Sequence, residues 1–235
     1  MTALDPNRFY MLYIYQGALL FFCLIIIYKI LTRSKKRLNI IFSMVYVWSA
    51  IGLILNMIFA FIVIEEIVLV LDFLTNFSVA FAPIFLVIFN LILLKSEKYM
   101  NTPKQLLIIV VYAIVLFLKI FLFLDGGVII NESTDWFPLW NLPYLIYVIV
   151  VSTLFSTIPI LYTSYKIYRR FTDDGIKRRW KFFIGGVIGL ILYMDFVFIA
   201  NHTTNIVISI GLSISLLGIF FYIYAMYYGV GRQLK

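Results

Sequence analysis

The chain has 235 residues, of which 64% are hydrophobic and 13% charged, with a mean hydropathy of +1.04 and a net charge of +8. Water-soluble domains carry about 45–50% apolar and about 25% charged residues, so a soluble globular protein is excluded. Seven membrane crossings at about 20 apolar residues each, with their interfacial turns, use about 160 residues and leave about 75 for loops and tails, which is too little for a domain outside the membrane.

The first apolar stretch runs from Phe9 to Thr32. It is too long for a secretory signal, and its basic cluster Arg33, Lys35, Lys36 and Arg37 follows the apolar run instead of preceding it. Further stretches run from Asn39 to Ile64, Ile67 to Leu94, Gln105 to Leu124, Leu142 to Tyr168, Arg179 to Ala200 and Thr204 to Tyr228. Only helices and closed barrels satisfy their backbone within lipid, so these runs predict an all-α bundle of seven transmembrane helices. Pro83 and Pro159 fall within the third and fifth spans, where each removes an amide donor and predicts a kink. Asn101-Thr102-Pro103 opens the fourth helix, because proline in a first helical turn loses no hydrogen bond.

Basic residues set the orientation. The segments after helices one, three, five and seven, including Arg232 and Lys235 at the end, hold 17 of the 19 lysines and arginines. The positive-inside rule places them in the cytoplasm, with the amino terminus outside and the carboxy terminus inside a multi-pass protein of the cell membrane. The other side carries Asp5, Glu65, Glu66, Asp125, Glu132 and Asp135, with Arg8 as its only base. This distribution accounts for the positive net charge through topology, so nucleic acid is not an expected partner, whereas the lipid bilayer is. Two glycosylation sequons fall on the outer side, at Asn131-Glu132-Ser133 and Asn201-His202-Thr203. Trp136, Phe137 and Trp140 in the long outer loop read as an interfacial belt in preference to a lid. Gly185 and Gly189 on the sixth helix read as a packing patch.

Ionisable residues within a span are expensive, so each is a functional candidate. Asp72 on helix three, Lys119 on helix four and Asp195 on helix six each lie about five residues, or ~8 Å, from the outer edge. Gln16 on helix one and Asn56 on helix two lie slightly deeper, and Asn76 stands one turn from Asp72 on the same face. The common depth predicts a cluster near the outer face with Lys119 between two carboxylates. Such a cluster serves either as a structural ion network or as a binding site for a small ligand.

One cysteine, Cys23, and one histidine, His202, exclude an intramolecular disulfide and a zinc site of three or four Cys and His ligands. The chain has no phosphate-binding G-x-x-x-x-G-K-[ST] loop, no H-E-x-x-H and no aspartate-rich diphosphate motif, so no enzymatic activity, metal or cofactor is expected. A microbial retinal pigment is disfavoured because helix seven lacks a lysine within its span.

Three features resemble the seven-helix membrane sensor region that precedes many prokaryotic histidine kinases and related signalling proteins. They are Phe81-Ala82-Pro83-Ile84-Phe85-Leu86 in helix three, the basic run from Tyr168-Arg169-Arg170 through Lys177-Arg178-Arg179, and Tyr222-Ile223-Tyr224-Ala225-Met226-Tyr227-Tyr228-Gly229. The resemblance implies a receptor whose helices relay a state to a cytoplasmic effector. No kinase or cyclase domain is present up to Lys235, so the expectation is either that a separate signalling partner supplies the output or that the bundle stands alone. The expected function is a receptor-like sensor binding a small extracellular ligand at Asp72, Asn76, Lys119, Asp195, Gln16 and Asn56. The alternatives are a small-solute or proton-coupled transporter or channel, and a non-catalytic subunit of a membrane complex.

Overall fold

The computed structural model describes residues 9–123, 126–203 and 205–231. Asp5, Arg8, Leu124, Asp125, Thr204, Arg232 and Lys235, which entered the sequence reading, lie outside the described residues. Seven helices are long and apolar enough to cross a membrane: α1 Tyr10–Arg33, α2 Arg37–Phe59, α3 Glu65–Lys95, α4 Thr102–Leu122, α5 Leu142–Arg170, α6 Asp174–Ala200 and α7 Ile206–Val230. This is an all-α bundle whose helices begin and end within a few residues of the expected apolar runs. Between α4 and α5 the chain adds a two-stranded antiparallel hairpin, β1 Val128–Ile129 and β2 Leu139–Trp140. We refer to this as the hairpin end and to the opposite, lysine- and arginine-rich side as the basic end.

α3 is the core helix, with 72% of its apolar window buried against 17% for α1 and α7. It packs against α2 along its first half and against α2 and α5 along its second. Mid-span prolines interrupt two helices, as their missing amide requires. α3 breaks at Ala82-Pro83 into Glu65–Phe81 and Ile84–Lys95. In α5 the strain of Pro159 is taken up by a π-helical segment, Thr153–Thr157, just before it. α4 also breaks, at Leu118, with Lys119 opening its last short turn.

Irregular backbone within a span is stable only if its polar groups find partners. Tyrosine hydroxyls fill that role here. Tyr112 donates to the Ala80 carbonyl (2.8 Å) beside the α3 break, and Tyr147 donates to the Val115 carbonyl (2.6 Å) beside the α4 break. Tyr13 does the same for Met57 (2.9 Å) in the last turn of α2, and Tyr15 donates to the Leu216 carbonyl within the regular helix of α7.

α6 and α7 form the closest helix pair. A Cβ on Gly186 would sit 2.5 Å from the Tyr222 carbonyl oxygen and 2.8 Å from the Met226 amide nitrogen, and one on Gly229 would sit 2.7 Å from the Phe183 nitrogen. Gly189 accommodates the Tyr222 ring, whereas Gly185 has nothing within 4 Å. The packing patch is therefore Gly186 and Gly189, since Gly185 points away from α7. Gly186→Val is expected to destabilise the protein by about 2 kcal/mol or more, because backbone cannot yield. Gly185→Val should stay within about 0.5 kcal/mol of the parent. Reversible unfolding in mixed micelles measures both.

Candidate functional site

The site lies where the first half of α3, the end of α4, the start of α5 and the hairpin meet. The chain turns sharply out of α4 at Gly126, with φ of +77°, and at Gly127, where a Cβ would meet the Phe123 carbonyl oxygen at 2.7 Å. Asn141 then closes the hairpin. Its Nδ2 donates to the Gly126 carbonyl (2.9 Å), its backbone N–H to Gly127 (3.0 Å), and its Oδ1 caps α5 by accepting from Tyr144 N–H (2.9 Å). Ile130, fully buried, packs with Phe59 and Val68 at the α2–α3 corner. On the other side, Trp140 N–H donates to the Asn201 carbonyl (2.7 Å), and His202 Nδ1 donates to the Trp140 carbonyl (2.8 Å). The hairpin is thus latched at two places across the bundle.

These contacts correct the reading of Trp140 as a belt residue. Its side chain is 1% exposed, 4.9 Å from Tyr144 in an edge-on arrangement and 5.6 Å from Phe198 in a stacked one. Phe137 is exposed, and Trp136 is partly buried against the cluster of Phe59, Val68 and Ile130, so of the three only Trp140 is fully buried. Because strand residues alternate in direction, β2 sends Leu139 outward and Trp140 inward.

Beneath Trp140 lie the charged groups. Asp72 and Asn76 share a face of α3, and Asn76 Nδ2 donates to both the Asp72 carboxylate and its carbonyl at 2.9 Å. Lys119 is fully buried and interacts electrostatically with Asp72. The two groups do not form a contact ion pair: Lys177–Asp174 is the only one within 4.0 Å among the described residues. The ammonium instead lies 5.0 Å from the centroid of the Phe73 ring and 5.4 Å from that of Tyr144. Among the described residues its Nζ has no hydrogen-bond partner. The Trp140 indole N–H approaches the Asp72 carboxylate closely enough to interact with it but makes no hydrogen bond of its own. Two buried donors therefore converge on one carboxylate that already accepts from Asn76.

The other expected members stand apart. Asn56 Nδ2 donates to Gln16 Oε1 (3.0 Å), which pairs α2 with α1. Asp195 on α6 is half-buried, has no hydrogen bond or ion pair among the described residues, and is not among the charges acting on Lys119. The expected lysine between two carboxylates is therefore, among the described residues, a lysine facing one. Asn131 and Asn201, the sequon asparagines, both take part in the hairpin: Asn131 Oδ1 accepts from Ser133 N–H (2.9 Å), and Asn201 supplies the latch carbonyl.

A second polar cluster occupies the basic half. Asn90, fully buried on α3, donates to Thr163 Oγ1 (3.0 Å) and Ser164 Oγ (2.8 Å) on α5, while its Oδ1 is unmatched. The Ser164 carbonyl accepts from Trp180 Nε1 (2.9 Å) on α6.

Among the described residues no group of three or more His, Cys, Asp or Glu side chains is placed to hold a metal ion. No family model, curated protein or solved structure matches the chain.

Proposed function

We propose that the protein is a receptor-like sensor of the cell membrane, with the hairpin end outside and the basic end in the cytoplasm. The observation that carries this reading is the fully buried Lys119 ammonium, which among the described residues faces a single carboxylate and has no hydrogen-bond partner. Buried donors are almost always satisfied, and those left open in a membrane interior mark sites of function. Neither Lys119 Nζ nor Trp140 Nε1 makes a hydrogen bond to Asp72 or to another group among the described residues, so the two buried donors match a small, acceptor-rich solute bearing an anionic group. Entry requires the Trp140 hairpin to lift, and the closed arrangement is the ligand-free state.

Occupancy changes the charge balance along the first half of α3. That half is joined through the Pro83 break to Asn90, and from there by hydrogen bonds to α5 and α6. A break of this kind lets the two halves adopt alternative packings, and a ligand biases them only by its differential affinity. A separate cytoplasmic partner reads the result. The interruptions of α3 and α5 within their spans also favour, as a second reading, a transporter with a mid-membrane passage.

Vesicles containing the purified protein separate the two. Acetate, lactate, glycine and phosphate serve as probes, with thermal stabilisation for binding and isotope uptake for flux. The sensor reading expects saturable stabilisation by at least one probe, lost in Lys119→Met, without uptake. Uptake that Lys119→Met abolishes would establish the transporter instead, and neither signal together with co-purifying proteins would favour a complex subunit.

A further inference from the structure

At the basic end a cleft of about 520 Å³ runs between α6 and α7 on the outer surface of the bundle. Its walls combine two chemistries at two levels. Arg178 and Arg179 stand at the start of α6, on the basic side of the apolar run, and both side chains are exposed. Phe182 lies one turn deeper on α6, and Phe221 and Tyr224 lie opposite on α7, with 39%, 61% and 49% of their surfaces exposed. The floor is the small side chain of Ala225, 2% exposed, beside the close backbone contact at Gly186 and Gly229. Tyr228 packs edge-on against Phe182 at 5.5 Å and brings a phenol to the arginine level.

Neither arginine has a hydrogen-bond or ion-pair partner among the described residues. The carboxylates nearest in sequence are engaged elsewhere. Asp173 Oδ1 accepts from Ile176 N–H (2.7 Å) to cap α6, and Asp174 lies 3.9 Å from Lys177. A guanidinium fork matches phosphate oxygens in a bidentate way, and a phenol adds a third donor. Below them, Phe221 and Tyr228 are seven residues apart, which gives ~10 Å of apolar wall at 1.5 Å per residue. A phosphate at the membrane boundary with hydrocarbon directly beneath it is the chemistry of a phospholipid.

We propose that this cleft is a binding site for an anionic glycerophospholipid, its phosphate held by Arg178, Arg179 and Tyr228 and one acyl chain lying along Phe182 and Phe221. The site is independent of the Asp72–Lys119 reading, since it shares no residue with it. It would couple the α6–α7 pair to the charge of the surrounding leaflet.

Native mass spectrometry of the protein released from mixed micelles tests this, with phosphatidylglycerol, phosphatidylcholine and inorganic phosphate as probes. The expected result is retention of phosphatidylglycerol about tenfold or more above phosphatidylcholine in the parent, lost in R178Q/R179Q. K35Q/K98Q, which removes the same charge from other loops at the same end, should retain the lipid. Both arginines are exposed, so their replacement leaves the packed core intact. Equal retention by R178Q/R179Q, equal retention of the two lipids, or displacement of phosphatidylglycerol by millimolar phosphate would each overturn the assignment, the last in favour of a free-phosphate site.

Discussion

Asp72→Asn is expected to lower the unfolding free energy by about 3–5 kcal/mol, and adding Lys119→Met to it should restore most of that loss. Removing the carboxylate strands a fully buried ammonium that already lacks a hydrogen-bond acceptor, with only the faces of Phe73 and Tyr144 beside it. Lys119→Met alone should be less damaging, because Asp72 keeps the Asn76 amide as donor (2.9 Å) while methionine fills the lysine's volume. The double variant replaces a charge pair by neutral groups of similar shape, which is often neutral or stabilising. Asp195→Asn should add to either single change within about 0.5 kcal/mol, since among the described residues Asp195 makes no ion pair with Lys119. Unfolding in mixed micelles followed by tryptophan fluorescence gives the full cycle. Identical stability of Asp72→Asn and the parent would remove the charge pair from the account.

Trp140→Ala is the second change with a large expected effect, a loss of about 3–5 kcal/mol from the cavity left between Tyr144 and Phe198. The backbone latch to Asn201 and His202 survives the substitution, so the hairpin should stay in register while the space above Lys119 opens. Reductive methylation followed by peptide mass spectrometry reads that opening directly. Lys119 should resist the reagent in the parent and react in Trp140→Ala, with Lys98 and Lys177 reacting in both. Protection of Lys119 in both proteins would mean that Trp140 does not seal the site.

The helices were legible in the sequence because the lipid requirement for apolar runs is nearly independent of tertiary contacts. The two prolines announced their breaks for a similarly local reason. The α4 break at Leu118 had no such signal: it carries neither proline nor glycine, and its partner is the Tyr147 hydroxyl on another helix. For the site, Asp72, Asn76 and Lys119 were legible from the cost of polar groups within a span and from a shared depth. Depth fixes a level in the membrane and not an angle around the bundle, so it also drew in Asp195, Gln16 and Asn56, which the structure leaves outside the Asp72–Lys119 group. Trp140 misled because interfacial tryptophans usually meet the lipid surface. A two-residue strand, pinned by backbone bonds to α6, turns this one inward.

In the proposed sensor, the charge state beneath the hairpin sets helix packing at the basic end. Spin labels placed at Lys98→Cys and Thr172→Cys, both exposed loop positions at that end, report it by electron–electron distance measurement. The only native cysteine, Cys23, is buried and is removed as Cys23→Ser. Introducing Lys119→Met into this background should shift the interlabel distance distribution by about 2 Å or more, the scale of a helix shift between two packings. An unchanged distribution in folded Lys119→Met protein would contradict the account and leave the Asp72–Lys119 pair as a structural element of the bundle.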